Sequence, residues 1–225
     1  MNHLSKIIDC EQSKIAPDNR NYLGAALVGH TCDRHIYYKL NYYTSTPLPS
    51  ALYRTFAIGK NLESLVLDWL KKCTPLEIVL PTEENNFLEV CDVEIKKFKG
   101  HLDAIIEPHN IILEIKTANN SNFNLFVKNG LRKWNPKYYA QVQAYMGFKK
   151  SSQAIVLVLN KDNSALHDET IDFDEMYFTY LQSRAKALLT LKTEPERINS
   201  SPLFYMCSHC EFKNICHTAS NITKT

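Results

Sequence analysis

No stretch of this 225-residue chain comes near the ~18 consecutive apolar residues that a membrane-spanning helix requires, so no membrane segment is expected. The start, MNHLSKIIDCEQ, lacks the apolar core of a secretory signal, which makes a cytosolic protein the expectation. An excess of one charge is also missing. The formal net charge is +2, so overall charge does not announce nucleic acid, and any nucleic-acid surface must come from local clustering of Lys and Arg. There is no internal repeat and no low-complexity segment. With 44% hydrophobic and 22% charged residues, disorder of the whole chain is excluded.

What is present suits one domain: residues 1–225, with an N-terminal helical part (1–75), a core (76–192) and a cysteine-rich region (199–217). In a reducing compartment the seven cysteines are thiols or metal ligands rather than disulfides. Cys10, Cys73 and Cys91 occur singly, in apolar or helical contexts, and read as packing residues.

Periodicity orders the elements. Short helices are expected at 3–15 and 33–43, then a loop at 44–50. Phe56, Leu62, Leu65, Val66, Trp69 and Leu70 recur at helical spacing, predicting a helix over 51–72 with a break at Gly59. Strands are expected at 77–81, 87–98, 100–106 and 111–118, the last two forming a hairpin around EPHN. Helices at 121–131 and 136–149, a buried strand at 153–160, a strand near 168–173 and a helix at 174–192 follow. The pattern implies an α/β fold with helices on a mixed sheet.

The chemistry concentrates in GHLDAIIEPHNIILEIKTA. Glu114 and Lys116 lie two apart on a predicted strand, so their side chains leave the same face, while Leu113 and Ile115 face the other way. If the hairpin turns around Pro108, Asp103 comes beside Glu114. Two carboxylates and a lysine then converge, the set that a hard divalent cation and phosphodiester hydrolysis require. A Glu/Lys pair on an amphipathic surface strand would look the same by itself. In PKYYAQVQAYMGFK, Gln141 and Tyr145 are i and i+4, on one face of a helix.

Asp103, then Glu114-x-Lys116 on the next strand, then Gln141-x-x-x-Tyr145 on the following helix resembles the nuclease domain of the RecB-like branch of the PD-(D/E)XK superfamily. The resemblance implies a restriction-endonuclease-like core and Mg²⁺- or Mn²⁺-dependent DNA hydrolysis. It makes Asp103, Glu114, Lys116, Gln141 and Tyr145 catalytic. It implies metal ligation by Asp103, Glu114, the Ile115 backbone carbonyl and Glu63, which stands four residues after Gly59 in a segment resembling the family's upstream helix. The chain departs from the family twice: iron–sulfur members often carry His where Glu63 stands, and His101 replaces the usual Arg or Lys beside the aspartate.

Cys207-x-x-Cys210 followed by Cys216 predicts a metal site, with Cys32 as the candidate for the fourth thiol. This one-plus-three arrangement resembles the iron–sulfur nucleases, namely the nuclease domain of AddB and the CRISPR-associated exonuclease family, and implies a 4Fe–4S cluster stapling distant parts of the chain. Zn²⁺ on these cysteines, or on three of them with His209 or His217, is the alternative. Lys128, Arg132, Lys133 and Lys137, interleaved with Phe126, Trp134, Tyr138 and Tyr139, form a candidate DNA-binding stretch, and Lys96, Lys97 and Lys99 a second basic cluster.

By resemblance the substrate is DNA, single-stranded or with free ends, and the action exonucleolytic, in recombination, repair, phage or CRISPR-related processing. The alternative is a silent or partner-dependent DNA-binding subunit of a recombination or spacer-acquisition complex. There is no helicase motif, so unwinding would come from elsewhere.

Overall fold

The computed structural model describes residues 3–12, 20–43, 45–81 and 88–218. Expected helix residues 13–15, loop residue Thr44 and strand residue Phe87 lie outside them. The elements are α1 (Leu4–Gln12), β1 (Leu23–Gly24), a 3-10 turn (Leu27–Gly29), α2 (Asp33–Leu40), α3 (Ser50–Cys73), β2 (Glu77–Val79), β3 (Leu88–Cys91), β4 (Phe98–Leu102), β5 (Ala104–Glu107), β6 (Ile111–Ala118), α4 (Asn120–Trp134), α5 (Pro136–Lys149), β7 (Gln153–Asn160), β8 (Leu166–Asp172), α6 (Glu175–Thr190), α7 (Tyr205–Ser208) and α8 (Lys213–Thr218). No helix among the described residues is long and apolar enough to cross a membrane.

Two compact units can be told apart: Tyr22–His30 with Gly59–Leu189, and Met1–Asn21 with Thr31–Ile58 and Thr190–Thr225. The first holds a five-stranded sheet in the order β2-β5-β6-β7-β8. Only β6 and β7 run parallel among its neighbours. A parallel pair needs a long crossover, and α4 and α5 supply it. Asn119 caps α4 by accepting the Asn122 N–H, and Asn135 caps α5, whose first residue is Pro136. On one face of the sheet Leu62, Val66 and Leu70 of α3 pack with Ala104, Ile106, Leu113, Ile115 and Leu159. A smaller sheet, β1-β4-β3, adjoins in sequence.

The structure departs from the expected elements at specific residues. The expected strand 87–98 is two strands. Between them Asp92 is buried, and its Oδ1 accepts the Glu94 and Ile95 N–H groups at 2.9 Å each, forming a turn that ends β3. The expected strand 100–106 bends at Asp103, which separates β4 from β5. Helix α3 runs through Gly59 without a break, since an interior glycine costs a helix only about 1 kcal/mol. Cys10 and Cys73 are exposed and Cys91 half-buried, so the first two are not packing residues: their helix faces meet water.

The second unit has its own small core of Tyr37, Tyr38 and Phe212, against which Tyr43, Leu191, Cys210, Ile215 and Cys216 pack. Tyr38 donates to Glu194 at 3.2 Å, and Arg34 donates to the Pro195 carbonyl at 2.6 Å, tying α2 to the segment after α6.

Candidate active site

The β5–β6 hairpin pairs Ala104 with Leu113, so Asp103 comes to lie beside Glu114 and Ile115 at the open end. Asp103 Oδ2 accepts the Ile115 N–H at 2.7 Å, which fixes the carboxylate against the backbone of β6. Ile115 itself is fully buried in the core on the opposite face. Glu114 is 1% exposed, and Lys116 donates to its Oε1. The other oxygen, Glu114 Oε2, is buried with no hydrogen-bond partner. Such an orphan is costly unless something else satisfies it.

Electrostatics gather these groups with Glu63. Burial pushes the Glu114 carboxyl up to about 8, Asp103 adds to the rise, and Lys116 opposes it. Burial likewise pushes Glu63 up to about 7, with Lys116 opposing and Asp103 adding. Burial works against the charge on Lys116, but Glu114 and Asp103 outweigh it, so the ammonium is held protonated. Burial is the main cause of both raised carboxyls, and the neighbouring carboxylate Asp103 adds to it, while Lys116, with Lys60 at Glu63, opposes it.

Helix α5 closes the site from the other face. Tyr145 donates to the His101 carbonyl at 2.8 Å and accepts from Gln141 Nε2 at 3.0 Å. Burial and then Glu114 raise the Tyr145 phenol, so it remains a neutral donor. Thus Gln141 acts on Tyr145, and Tyr145 on the strand that carries Asp103. Gly100 makes this approach possible, because a Cβ there would stand 2.6 Å from Tyr145 Cε1. Tyr138, one turn before Gln141, places its ring 5.1 Å from Lys116 Nζ and packs on Trp134. Both roles escape the sequence reading. The placement of Tyr138 on one helix face with Gln141 and Tyr145 is the signal for its contact with Lys116, and nothing in the sequence marks Gly100.

The basic residues fall elsewhere on the same unit. Lys128, Arg132, Lys133 and Lys137 are all exposed on α4 and α5. Arg132 is the most engaged, lying 5.0 Å from the Tyr139 ring centroid, 5.7 Å from that of Tyr177 and 4.0 Å from Asp174. Phe126 is buried, and Trp134 and Tyr138 are half-buried.

The second unit holds Cys32, Cys207, Cys210 and Cys216. Burial raises the Cys207 thiol, with Cys216 and Cys32 adding to it; burial also raises Cys210, again with Cys32 and Cys216 contributing. Cys210 Sγ accepts the Phe212 N–H at 3.4 Å and lies 3.6 Å from His35 Nδ1. Among the described residues no three or more His, Cys, Asp or Glu side chains are drawn together as a group that could hold a metal ion.

No family model matches the chain, and no curated protein matches it in sequence. Nothing at the sequence level therefore ties it to the RecB-like or CRISPR-associated iron–sulfur nucleases. Solved structures do match. The alkaline exonuclease LHK-Exo from Laribacter hongkongensis is 14% identical, over 82% of this chain and 90% of that chain, with a TM-score of 0.57. SSO0001 is 20% identical, over 96% of each chain, with a TM-score of 0.54. A phage-related exonuclease from Haemophilus somnus 129PT is 14% identical, over 84% and 86%, with a TM-score of 0.52. The chain shares the mixed α/β fold of these proteins, as the expected fold class required.

Proposed function

We propose that this chain is a divalent-metal-dependent deoxyribonuclease that degrades DNA from free ends. The observation that carries the reading is the buried, unpartnered Glu114 Oε2 beside Asp103 and Lys116. A carboxyl kept out of water next to a second carboxylate holds a proton until a cation takes the proton's place and completes it. Mg²⁺ or Mn²⁺ fits this donor set: such ions take oxygen ligands and need only one or two protein carboxylates. Asp103 and Glu114 would hold the ion with the Ile115 carbonyl, and Glu63 is near enough to feel the same charges. When bound, the metal supplies Lewis-acid polarisation of the scissile phosphate. The fold shared with proteins described as exonucleases, one of them in complex with dAMP, supports the same reading.

The chain's own residues do the rest. Water adds to phosphorus and one P–O ester bond breaks, leaving a phosphomonoester and a hydroxyl. Lys116, held protonated, presents its ammonium where negative charge grows on the phosphate oxygens. Tyr145 and Gln141 brace β4, and with it Asp103. Lys128, Lys133 and Lys137 give an exposed basic surface for the DNA backbone, with Arg132 anchored by its aromatic and acidic neighbours.

The cysteines have a structural role in this reading. Cys32, Cys207, Cys210 and Cys216 would take a 4Fe–4S cluster, or Zn²⁺ in its place, as thiolates. What supports this is the cysteine spacing and the packing of Cys210 and Cys216 against one aromatic core.

Cleavage of linear single-stranded, linear duplex and circular single-stranded DNA with Mn²⁺, comparing the wild type with Lys116→Ala, tests the reading. Loss of linear DNA alone, abolished by the substitution, is the expected result. Cleavage that survives Lys116→Ala would place the chemistry elsewhere. A folded, metal-loaded chain with no cleavage would be a DNA-binding or partner-dependent subunit of a recombination or spacer-acquisition complex.

A further inference from the structure

Strand β4 carries charged groups that the reaction above does not use. Lys99 and His101 leave one face of it, half-buried, while Phe98, Gly100 and Leu102 are buried on the other. Asp103 follows two residues after His101, at the bend that ends the strand. On the neighbouring strand Glu89 stands directly opposite His101. Its Oε2 accepts from Lys99 Nζ at 2.7 Å and lies 3.5 Å from His101 Nε2. The Glu89 side chain is 50% exposed, against 24% for Lys99 and 30% for His101. Tyr22 completes the group: Lys99 Nζ lies 4.8 Å from its ring centroid, and the His101 ring meets it edge-on at 6.4 Å.

Two nitrogen donors and an aromatic ring, converging on one face of the strand just before Asp103 in the chain, suit an oxyanion with a base attached. A single exposed carboxylate now fills that place.

We propose that Lys99, His101 and Tyr22 form a subsite for a phosphate and base of single-stranded DNA adjoining the cleaved one, and that Glu89 is its internal competitor. The subsite rests on the nuclease reading only for its orientation toward Asp103; its binding is separable from cleavage. A phosphate that draws Lys99 away from Glu89 also takes it off the Tyr22 face, opening that face to a base. The existing pair is a real competitor: the hydrogen bond from Lys99 holds the Glu89 carboxyl below its usual range, and Glu89 raises Lys99. Glu94 is a control, an exposed carboxylate of the same unit paired instead with Lys186 at 2.9 Å.

The test is binding of a labelled oligodeoxythymidine by the full chain in EDTA, so that nothing is cleaved, over a range of salt. Glu89→Gln should tighten binding, and Glu94→Gln, with the same change in net charge, should not. The gain should vanish when Lys99→Ala is added. Lys99→Ala alone should lower the salt slope by ~0.7, the contribution of one single-strand phosphate contact. Tyr22→Ala should weaken binding about fivefold or more, the scale of one stacked base. A gain of affinity cannot come from misfolding, so Glu89→Gln keeps the test decisive even if the other variants are unstable. Equal effects of Glu89→Gln and Glu94→Gln would overturn the subsite, as would tightening that persists without Lys99. If the wild type also cleaves DNA, that outcome leaves the nuclease reading standing. A wild type that binds no single strand at any salt overturns the subsite and leaves the nuclease reading to the cleavage test.

Discussion

At the residue scale the site is defined by carboxyls held out of water. With the metal removed, Glu114 and Glu63 carry folded-state pKa values of about 8 and about 7, both above the usual 4.5. Their unfolded counterparts ionise first as pH rises. The unfolded chain therefore binds fewer protons than the folded one between the two values, and stability falls with increasing pH there. The contribution is fully present below the unfolded pKa and lost by about pH 8. EDTA-treated protein should thus melt lower at pH 8 than at pH 5. Glu114→Gln should shrink that drop, and Mn²⁺ at pH 8 should reverse it in the wild type but far less in the variant. A melting temperature that is flat from pH 5 to 8 would mean the carboxylates are not held as described.

Tyr138 gives a second prediction at this scale. Its ring is the aromatic neighbour of the Lys116 ammonium. Tyr138→Leu should lower kcat about three- to thirtyfold, the range of one partly desolvated cation–π contact, with KM little changed, while Tyr138→Phe keeps the activity. Equal kcat values for the Leu and Phe variants would assign Tyr138 to packing alone.

At the scale of elements, much of the fold was legible. Pro136–Lys149 and Gln153–Asn160 match their expected spans, because a capped helix and an uninterrupted apolar strand announce themselves locally. The core of the site was legible too: the Asp103, Glu114 and Lys116 spacing depends only on strand alternation and a hairpin. What could not be read depends on partners far along the chain. Asp92 ends β3 by folding its side chain onto nearby N–H groups, and Gln182 Nε2, 90 residues on, donates to its other oxygen at 2.6 Å. Gln143 is buried in α5, where the sequence shows no cause. It donates to the Asp172 carbonyl and accepts the Asp174 N–H, both at 2.9 Å.

Helix α4 hides a further case. Gly130 sits inside it at φ 72°, and a Cβ there would meet Glu169 Oε1 at 2.9 Å; Glu169 Oε2 accepts the Leu131 N–H at 2.6 Å. Neither the φ nor the closeness admits a side chain. Gly130→Ala should cost about 1–3 kcal/mol, seen as a drop in melting temperature of roughly 3–8 °C. Gly59→Ala, in regular helix with only Thr117 Oγ1 at 3.4 Å, should be neutral or stabilising. Equal effects at the two glycines would contradict the kink in α4.

For the whole molecule, the question is what holds the smaller unit together. Its described core is three large aromatic side chains, Tyr37, Tyr38 and Phe212, ringed by partly buried neighbours. A core of that size rarely stabilises an assembly of separate chain segments by itself, and a metal staple is one usual remedy. The four thiols lie in this unit, two of them packed against the aromatic core, so their metal would add its binding energy where apolar burial is least. Cys207→Ala should then remove bound iron and the absorbance near ~400 nm of anaerobically purified protein. It should also speed tryptic cleavage within 31–58 and 190–218, while 59–189 resists as before. Zinc in place of iron, lost with the same substitution, would keep the staple and change its metal. Unchanged metal content and unchanged proteolysis would show that the aromatic core suffices, leaving the four thiols without a structural task.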